Sequence, residues 1–358
     1  MKNIPKQYEV GDDEIHLLIN KLVERSASTE TRSVFREIFT TVVKLGIESK
    51  DKVDINLLNN VLKEFRYSFK VFSKYRNTKK VIIFGSARSK KTSAEYRMAD
   101  SFARTITRKG YMVVTGGGPG VMEAGNKGAE RGKDFALNIR LPFEQKPNPY
   151  MDEKERLINY KYFFTRKLFF MKETDATTLF PGGFGTNDEG FEALTLIQTG
   201  KSMPRPIVLM EPEGSTYWAS WKRFINNQLV KKGYVNKEDM KLFYIAGDVN
   251  EAVSYIEEFY KIYHSVRYLG DLTIIRLKEM IPTRDIELLN REFKDILSSG
   301  KIEVSQPAKV ERERGEYLDL PRLSMKFNRR DYGRLCEMIR VINKANNRGQ
   351  ASSDIKIT

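Results

Sequence analysis

The chain has 358 residues, 40% of them hydrophobic, enough for one large domain with additions or for two domains. No uncharged apolar run approaches the length of a membrane span. The formal net charge of +15 is spread along the chain and not gathered in one basic arm, a pattern that suits a solvated surface attracting anionic metabolites and does not point to a nucleic-acid interface.

Residues 1–75 read as helical. Ile15, Leu18, Ile19 and Leu22 repeat at helical spacing, as do Val34, Ile38, Val42 and Val43, and 57–72 continue the pattern through Leu57, Leu58, Val61 and Phe65. This segment suits a cap or an oligomer contact. From 76 to 265 strands and helices alternate. Strands are predicted at 81–84, 113–114, 135–141, 176–180 and 206–210, and helices at 94–108, 121–131, 160–172, 188–198, 218–231 and 249–263. Such alternation predicts an α/β fold with a doubly wound parallel sheet, Rossmann-like. From 266 to 358 a small α+β extension is predicted. It has strands at 272–277, 301–304 and 323–327, a helix over 283–297 with Thr283 as N-cap and Ser298-Ser299-Gly300 as its end, a charged loop over 311–316 and a final helix over 331–343.

Two glycine loops lie between a strand and a helix. The first is Thr115-Gly116-Gly117-Gly118-Pro119-Gly120-Val121-Met122-Glu123, with Pro119 suited to a first helical turn. It is neither a dinucleotide fingerprint nor a Walker A loop. The second is Pro181-Gly182-Gly183-Phe184-Gly185-Thr186-Asn187-Asp188-Glu189. Glycines let backbone N–H groups approach an anion closely, and a helix N-terminus adds positive potential. Thr186 and Glu189 also have capping-box spacing, which accounts for those two residues but not for the glycines before them. In an open α/β sheet both loops would lie at the carboxyl ends of strands, where ligands bind.

These two elements, with Arg166-Lys167 between them, resemble the Lonely Guy (LOG) family, whose members are cytokinin riboside 5′-monophosphate phosphoribohydrolases and many of whose relatives carry a "lysine decarboxylase" label. The resemblance covers about residues 80–262, and the run from Leu141 to Tyr150 is similar to a longer bacterial branch. It implies hydrolysis of an N-glycosidic bond, with Glu189, the last residue of the second motif, and Arg166 as catalytic residues, and it implies a homodimer or larger assembly.

The residues support that chemistry. Glycoside cleavage passes through an oxocarbenium-like sugar, which a carboxylate stabilises or attacks through an activated water. Placed in a first helical turn, Glu189 is expected to be held ionised by the helix dipole, with Asp188 pointing away as a first-turn charge. Glu192, one turn on, either orients Glu189, binds a ribose hydroxyl or is a solvated charge. The 5′-phosphate is expected on the amides of Gly183, Phe184, Gly185 and Thr186 after Gly182, with Gly116, Gly117 and Gly118 bordering the ribose. Ser86 and Arg88 follow the first strand, where such folds meet a nucleotide. Lys167 is expected beside the substrate, Thr195 matches a polar position of the family helix, and Glu144 is placed at the base pocket. Arg166 would contact base, phosphate or Glu189; the sequence leaves the choice open.

Other chemistries have less to build on. The two histidines, His16 and His264, lie outside the motifs, and no Cys/His cluster has metal-ligand spacing, so neither a Ser-His-Asp triad nor a metal is expected. A pyridoxal-phosphate decarboxylase would have Lys167 as its only lysine beside the loops, with nothing else in support, so no cofactor is expected. Cys336, the single cysteine, sits in an apolar helical pattern and suits a core position in a reducing cytoplasm; Met1 to Lys6 leads into acidic residues without an apolar signal core. The sequence thus predicts a cytoplasmic nucleoside 5′-monophosphate N-glycosidase acting on AMP or an N6-substituted AMP, in cytokinin activation or purine salvage. The competing class is a non-catalytic nucleotide sensor.

Overall fold

The computed structural model describes residues 10–141, 146–151 and 155–345. The chain divides into two compact units between Phe69 and Lys70. The first unit is helical: α1 (Asp13–Ser26), α2 (Arg32–Glu48) and most of α3 (Lys52–Ser73). Asp12 caps α1 by accepting from the Ile15 N–H at 3.0 Å, satisfying one of the donors that a helix start leaves unpaired. Arg36 on α2 donates to Asn20 on α1 at 2.8 Å.

The second unit holds a seven-stranded parallel sheet. Its strands are β1 (Lys80–Phe84), β2 (Met112–Thr115), β3 (Asp134–Ile139), β4 (Leu157–Tyr160), β5 (Ala176–Leu179), β6 (Ile207–Met210) and β7 (Tyr244–Ala246), in the order β4-β3-β2-β1-β5-β6-β7. The inner strands are buried throughout because helices cover both faces; Val81, Ile82, Ile83, Val113 and Val114 are fully buried. The helices between the strands are α4 (Ala94–Arg108), α5 (Val121–Gly128), α6 (Phe163–Lys172), α7 (Phe184–Gln198), α8 (Tyr217–Phe224) and α9 (Val249–Phe259). Strand order reverses between β1 and β5, and the crevice there is the ligand position of a doubly wound sheet. Short or half-polar strands escaped the sequence pattern: β4 and β7 were not expected, and the helix predicted over 160–172 begins only at Phe163, since 157–160 add a parallel strand to β3. The helix predicted over 218–231 is α-helical only to Phe224 and continues as a π-turn segment, Ile225–Val230.

The C-terminal part packs β8 (Tyr263–Leu269), β9 (Leu272–Leu277), β10 (Leu297–Val304) and β11 (Arg322–Phe327) into an antiparallel sheet of order β10-β11-β9-β8, with α10 (Thr283–Glu292) and α12 (Tyr332–Asn343). Ile275, Leu289, Leu323, Leu335 and Ile339 share its core, and Cys336 is buried. Four expectations fail here. α10 stops at Glu292, Pro282 and not Thr283 is its N-cap, and Ser298-Ser299-Gly300 belong to a strand that pairs with β11. The charged run expected as a loop is helical, α11 (Lys309–Arg314). Tertiary ion pairing decides that: Glu311 is fully buried and accepts from Arg276 at 2.9 and 2.6 Å and from Arg322 at 3.4 Å. Among the described residues no helix is long and apolar enough to cross a membrane.

Candidate functional site

Three loops meet above the carboxyl edge of the sheet, and the backbone locks them together. The Ser86 N–H donates to Pro181 O at 3.2 Å, and the Val121 N–H donates to Ser86 O at 3.0 Å. Gly120 has φ +69°, and a Cβ there would lie 2.3 Å from Ser86 O, so only glycine fits. A Cβ on Gly182 would lie 2.1 Å from Thr186 Oγ1 and 3.0 Å from Ser86 N. Such close approach brings the β1, β2 and β5 loops around a single cavity of about 810 Å³, within the size range of small-ligand sites.

At one end of the cavity stands the start of α7. Gly183 is its N-cap, and no side chain caps it. Among the described residues the amides of Phe184, Gly185 and Thr186 have no hydrogen-bond partner, so three donors and the positive helix end face the cavity. This revises the capping-box expectation. The helix begins at Phe184, two residues before Thr186, whose side chain packs against Gly182 and leaves no hydroxyl at the cap position.

Glu189 therefore belongs to the second turn, beyond the first-turn amides. It is 8% exposed and lines the cavity. Burial pushes its carboxyl up to about 7, an effect that Lys167 and Arg166 partly oppose. The expectation of a carboxylate held ionised by the dipole is overturned, because desolvation outweighs both cations. Lys167 does not line the cavity. Its ammonium lies behind the wall, 3.5 Å from Glu189, 2.8 Å from Asp188 and 2.7 Å from Glu192. Asp188 thus does not point away, and Glu192 is tied to the same ammonium.

Arg166 projects from α6 into the cavity, its guanidinium 5.2 Å from the Phe163 ring centroid and 5.4 Å from that of Phe170. Its Nε is buried without a hydrogen-bond partner. Burial weakens its hold on its proton, and Glu189 nearby opposes that. A cation with a spare buried donor beside a half-ionised acid is set to receive an anionic or lone-pair group.

Of the sequence-predicted residues, Glu189, Arg166, Ser86, Gly116 and the run from Gly182 to Thr186 line this cavity. Gly117 and Gly118 do not: the Gly117 N–H bonds Thr115 Oγ1 at 3.0 Å, and both carbonyls accept from Asn148. Glu192 and the exposed Thr195 also lie outside it, and Glu144 is outside the described residues. The exposed Arg88 reaches the rim. Sequence reasoning missed Asn138 and Met122, which line the β3 and β2 side. Asn138 carried only a faint signal, a lone amide in an apolar strand.

A family model described as "Possible lysine decarboxylase" matches residues 109–256. The chain is 26% identical over 189 residues to a cytokinin riboside 5′-monophosphate phosphoribohydrolase of Arabidopsis thaliana, covering 52% of this chain and 84% of that one. It is 26% identical over 188 residues to a probable cytokinin riboside 5′-monophosphate phosphoribohydrolase of Oryza sativa subsp. japonica, covering 52% and 86%. Among solved structures, the molybdenum cofactor binding protein of Rippkaea orientalis aligns with 51% of this chain and 96% of its own at 19% identity and TM-score 0.37. Together with the two glycine motifs, the family model over 109–256 and the plant relatives at about a quarter identity support membership of the Lonely Guy (LOG) family.

Proposed function

We propose that this chain is a phosphoribohydrolase that cleaves the N-glycosidic bond of AMP, or of an N6-substituted AMP, to free base and ribose 5-phosphate. One observation carries the reading: a buried carboxyl that titrates near neutrality, Glu189, shares a cavity with the three unpartnered amides that open α7. The amides receive the 5′-phosphate through hydrogen bonds and the helix dipole. That anchors the sugar with its anomeric carbon near Glu189. As the bond to the base lengthens, positive charge grows on the sugar, and the Glu189 carboxylate stabilises it or takes a proton from the attacking water. A pKa of about 7 leaves a large fraction of Glu189 ionised at neutral pH and keeps it basic enough to accept that proton. Arg166 offers its spare donor to the departing base or to the phosphate, and the Phe163 and Phe170 rings hold the guanidinium in place. The reading includes a homo-oligomer, which mass measurement in solution checks.

The test is a chromatographic screen of nucleoside 5′-monophosphates against the same nucleosides without phosphate. Free base should appear from monophosphates only. Base release from neither class, with monophosphates still bound, would favour a nucleotide sensor.

A further inference from the structure

Asn138 is a buried amide in the cavity wall with hydrogen-bonding capacity left over. It is 5% exposed and lines the cavity from β3. Met122, Ile139, Leu141 and Phe163 line the same cavity. Its register partner on β4 is Asn159, and Asn138 Nδ2 donates to Asn159 Oδ1 at 3.0 Å. That bond fixes the plane of the amide and uses one N–H. Among the described residues nothing else bonds Asn138, so Oδ1 and the second N–H remain. Oδ1 is open to the cavity, where a ligand can bond it.

Its place in the fold says which part of a ligand that is. β3 stands three strands from β5 in the order β3-β2-β1-β5, about 14 Å at the usual strand spacing. The α7 amides follow β5. Arg166 and Met122 lie between, since a Cβ on Gly116 at the end of β2 would be 3.8 Å from Arg166 Nη1 and 2.7 Å from Met122 Sδ. A monophosphate held by its phosphate at α7, with its anomeric carbon beside Glu189 and Arg166, carries its base toward β3. The geometry points to Asn138 as the residue that reads the base, favouring a 6-amino over a 6-oxo purine. This rests on the placement of the phosphate proposed above.

The chemistry is that of an amide against the edge of adenine. Oδ1 accepts an exocyclic amino N–H while the free N–H of Nδ2 donates to the adjacent ring nitrogen, a pairing that discriminates strongly between bases. A 6-oxo purine would set its carbonyl oxygen against Oδ1, acceptor against acceptor. A secondary amine at N6 keeps one N–H, so an N6-substituted adenine still pairs.

Equilibrium binding tests this separately from hydrolysis. Dissociation constants for AMP, IMP and ribose 5-phosphate are measured on the full chain carrying Glu189→Gln, and again with Asn138→Leu or Asn138→Asp added. AMP should bind at least about tenfold more tightly than IMP. Asn138→Leu should bring the two within about threefold, with ribose 5-phosphate unchanged. Asn138→Asp removes both N–H donors and sets a carboxylate oxygen against the adenine ring nitrogen, so the preference for AMP should be lost there too, and this decides the matter if Asn138→Leu loses ribose 5-phosphate binding through misfolding. Equal binding of AMP and IMP before substitution, an unchanged ratio in a well-folded Asn138→Leu, or a preference for AMP kept by Asn138→Asp would overturn the assignment. Absence of hydrolysis in the wild type would leave this test intact while sinking the proposed reaction.

Discussion

The burial of Glu189 makes a prediction about stability as well as turnover. Folding raises its carboxyl from 4.5 to about 7. That rise corresponds to about 3 kcal/mol, since one pKa unit is worth about 1.4 kcal/mol. The fold thus favours the protonated form: the stabilisation is complete below the unfolded value of 4.5 and is lost as pH climbs through about 7. Glu189→Gln replaces the acid by a neutral group of the same shape. Wild type and variant should be equally stable near pH 4.5, and above pH 7 the variant should be the more stable by up to about 3 kcal/mol, several degrees in Tm. Thermal and urea unfolding from pH 4.5 to 8.5 measures this directly. A variant no more stable than wild type at pH 8, or one whose deficit widens with pH, would refute the reasoning. It would mean that Lys167 at 3.5 Å and the nearby Arg166 hold the carboxylate as an ion and that desolvation does not dominate.

Lys167→Met removes an ammonium 3.5 Å from Glu189, an attraction of about 5 kcal/mol at an effective dielectric near 20, less the share taken by Asp188 and Glu192. The acid limb of kcat/KM should move upward from about 7 by at least about one pH unit, and an unmoved limb would count against Glu189 as the base. Gly120→Ala places a Cβ 2.3 Å from Ser86 O at φ +69°, so it should lower the unfolding free energy by more than about 3 kcal/mol. Gly214→Ala, at φ +78° in open space, should cost about 1 kcal/mol; equal losses in thermal unfolding would deny the loop-locking role of Gly120. Glu311→Ala leaves Arg276 and Arg322 buried without their carboxylate and should destabilise by about 3–5 kcal/mol in urea, a loss that near-wild-type stability would contradict.

The strand–helix alternation and the two glycine loops were legible because each is local, as runs of apolar residues and glycines before a helix, whereas Arg166 beside Glu189 was expected only from the family resemblance. What was not legible depends on neighbours distant in the chain. The start of α7 was placed too late because Thr186 and Glu189 fit a capping box, whereas Thr186 is drawn in against Gly182 and the helix opens at Phe184. The ionisation of Glu189 was misjudged for a similar reason, since the local dipole is visible in sequence and the burial that outweighs it is not. α11 needed Arg276 and Arg322 from two different strands to bury Glu311. Asn138 became meaningful only once β4 supplied Asn159 and the β2 side supplied Met122.

The central claim is that Glu189 acts on a sugar anchored by the amides of α7. It is tested most directly by giving the wild type and Glu189→Gln the same AMP and measuring, in the same samples, nucleotide bound and adenine with ribose 5-phosphate released. The account predicts equimolar adenine and ribose 5-phosphate from the wild type, release reduced at least about a hundredfold in Glu189→Gln, and nucleotide binding retained by both. No release from the wild type, or undiminished release from Glu189→Gln, would contradict it.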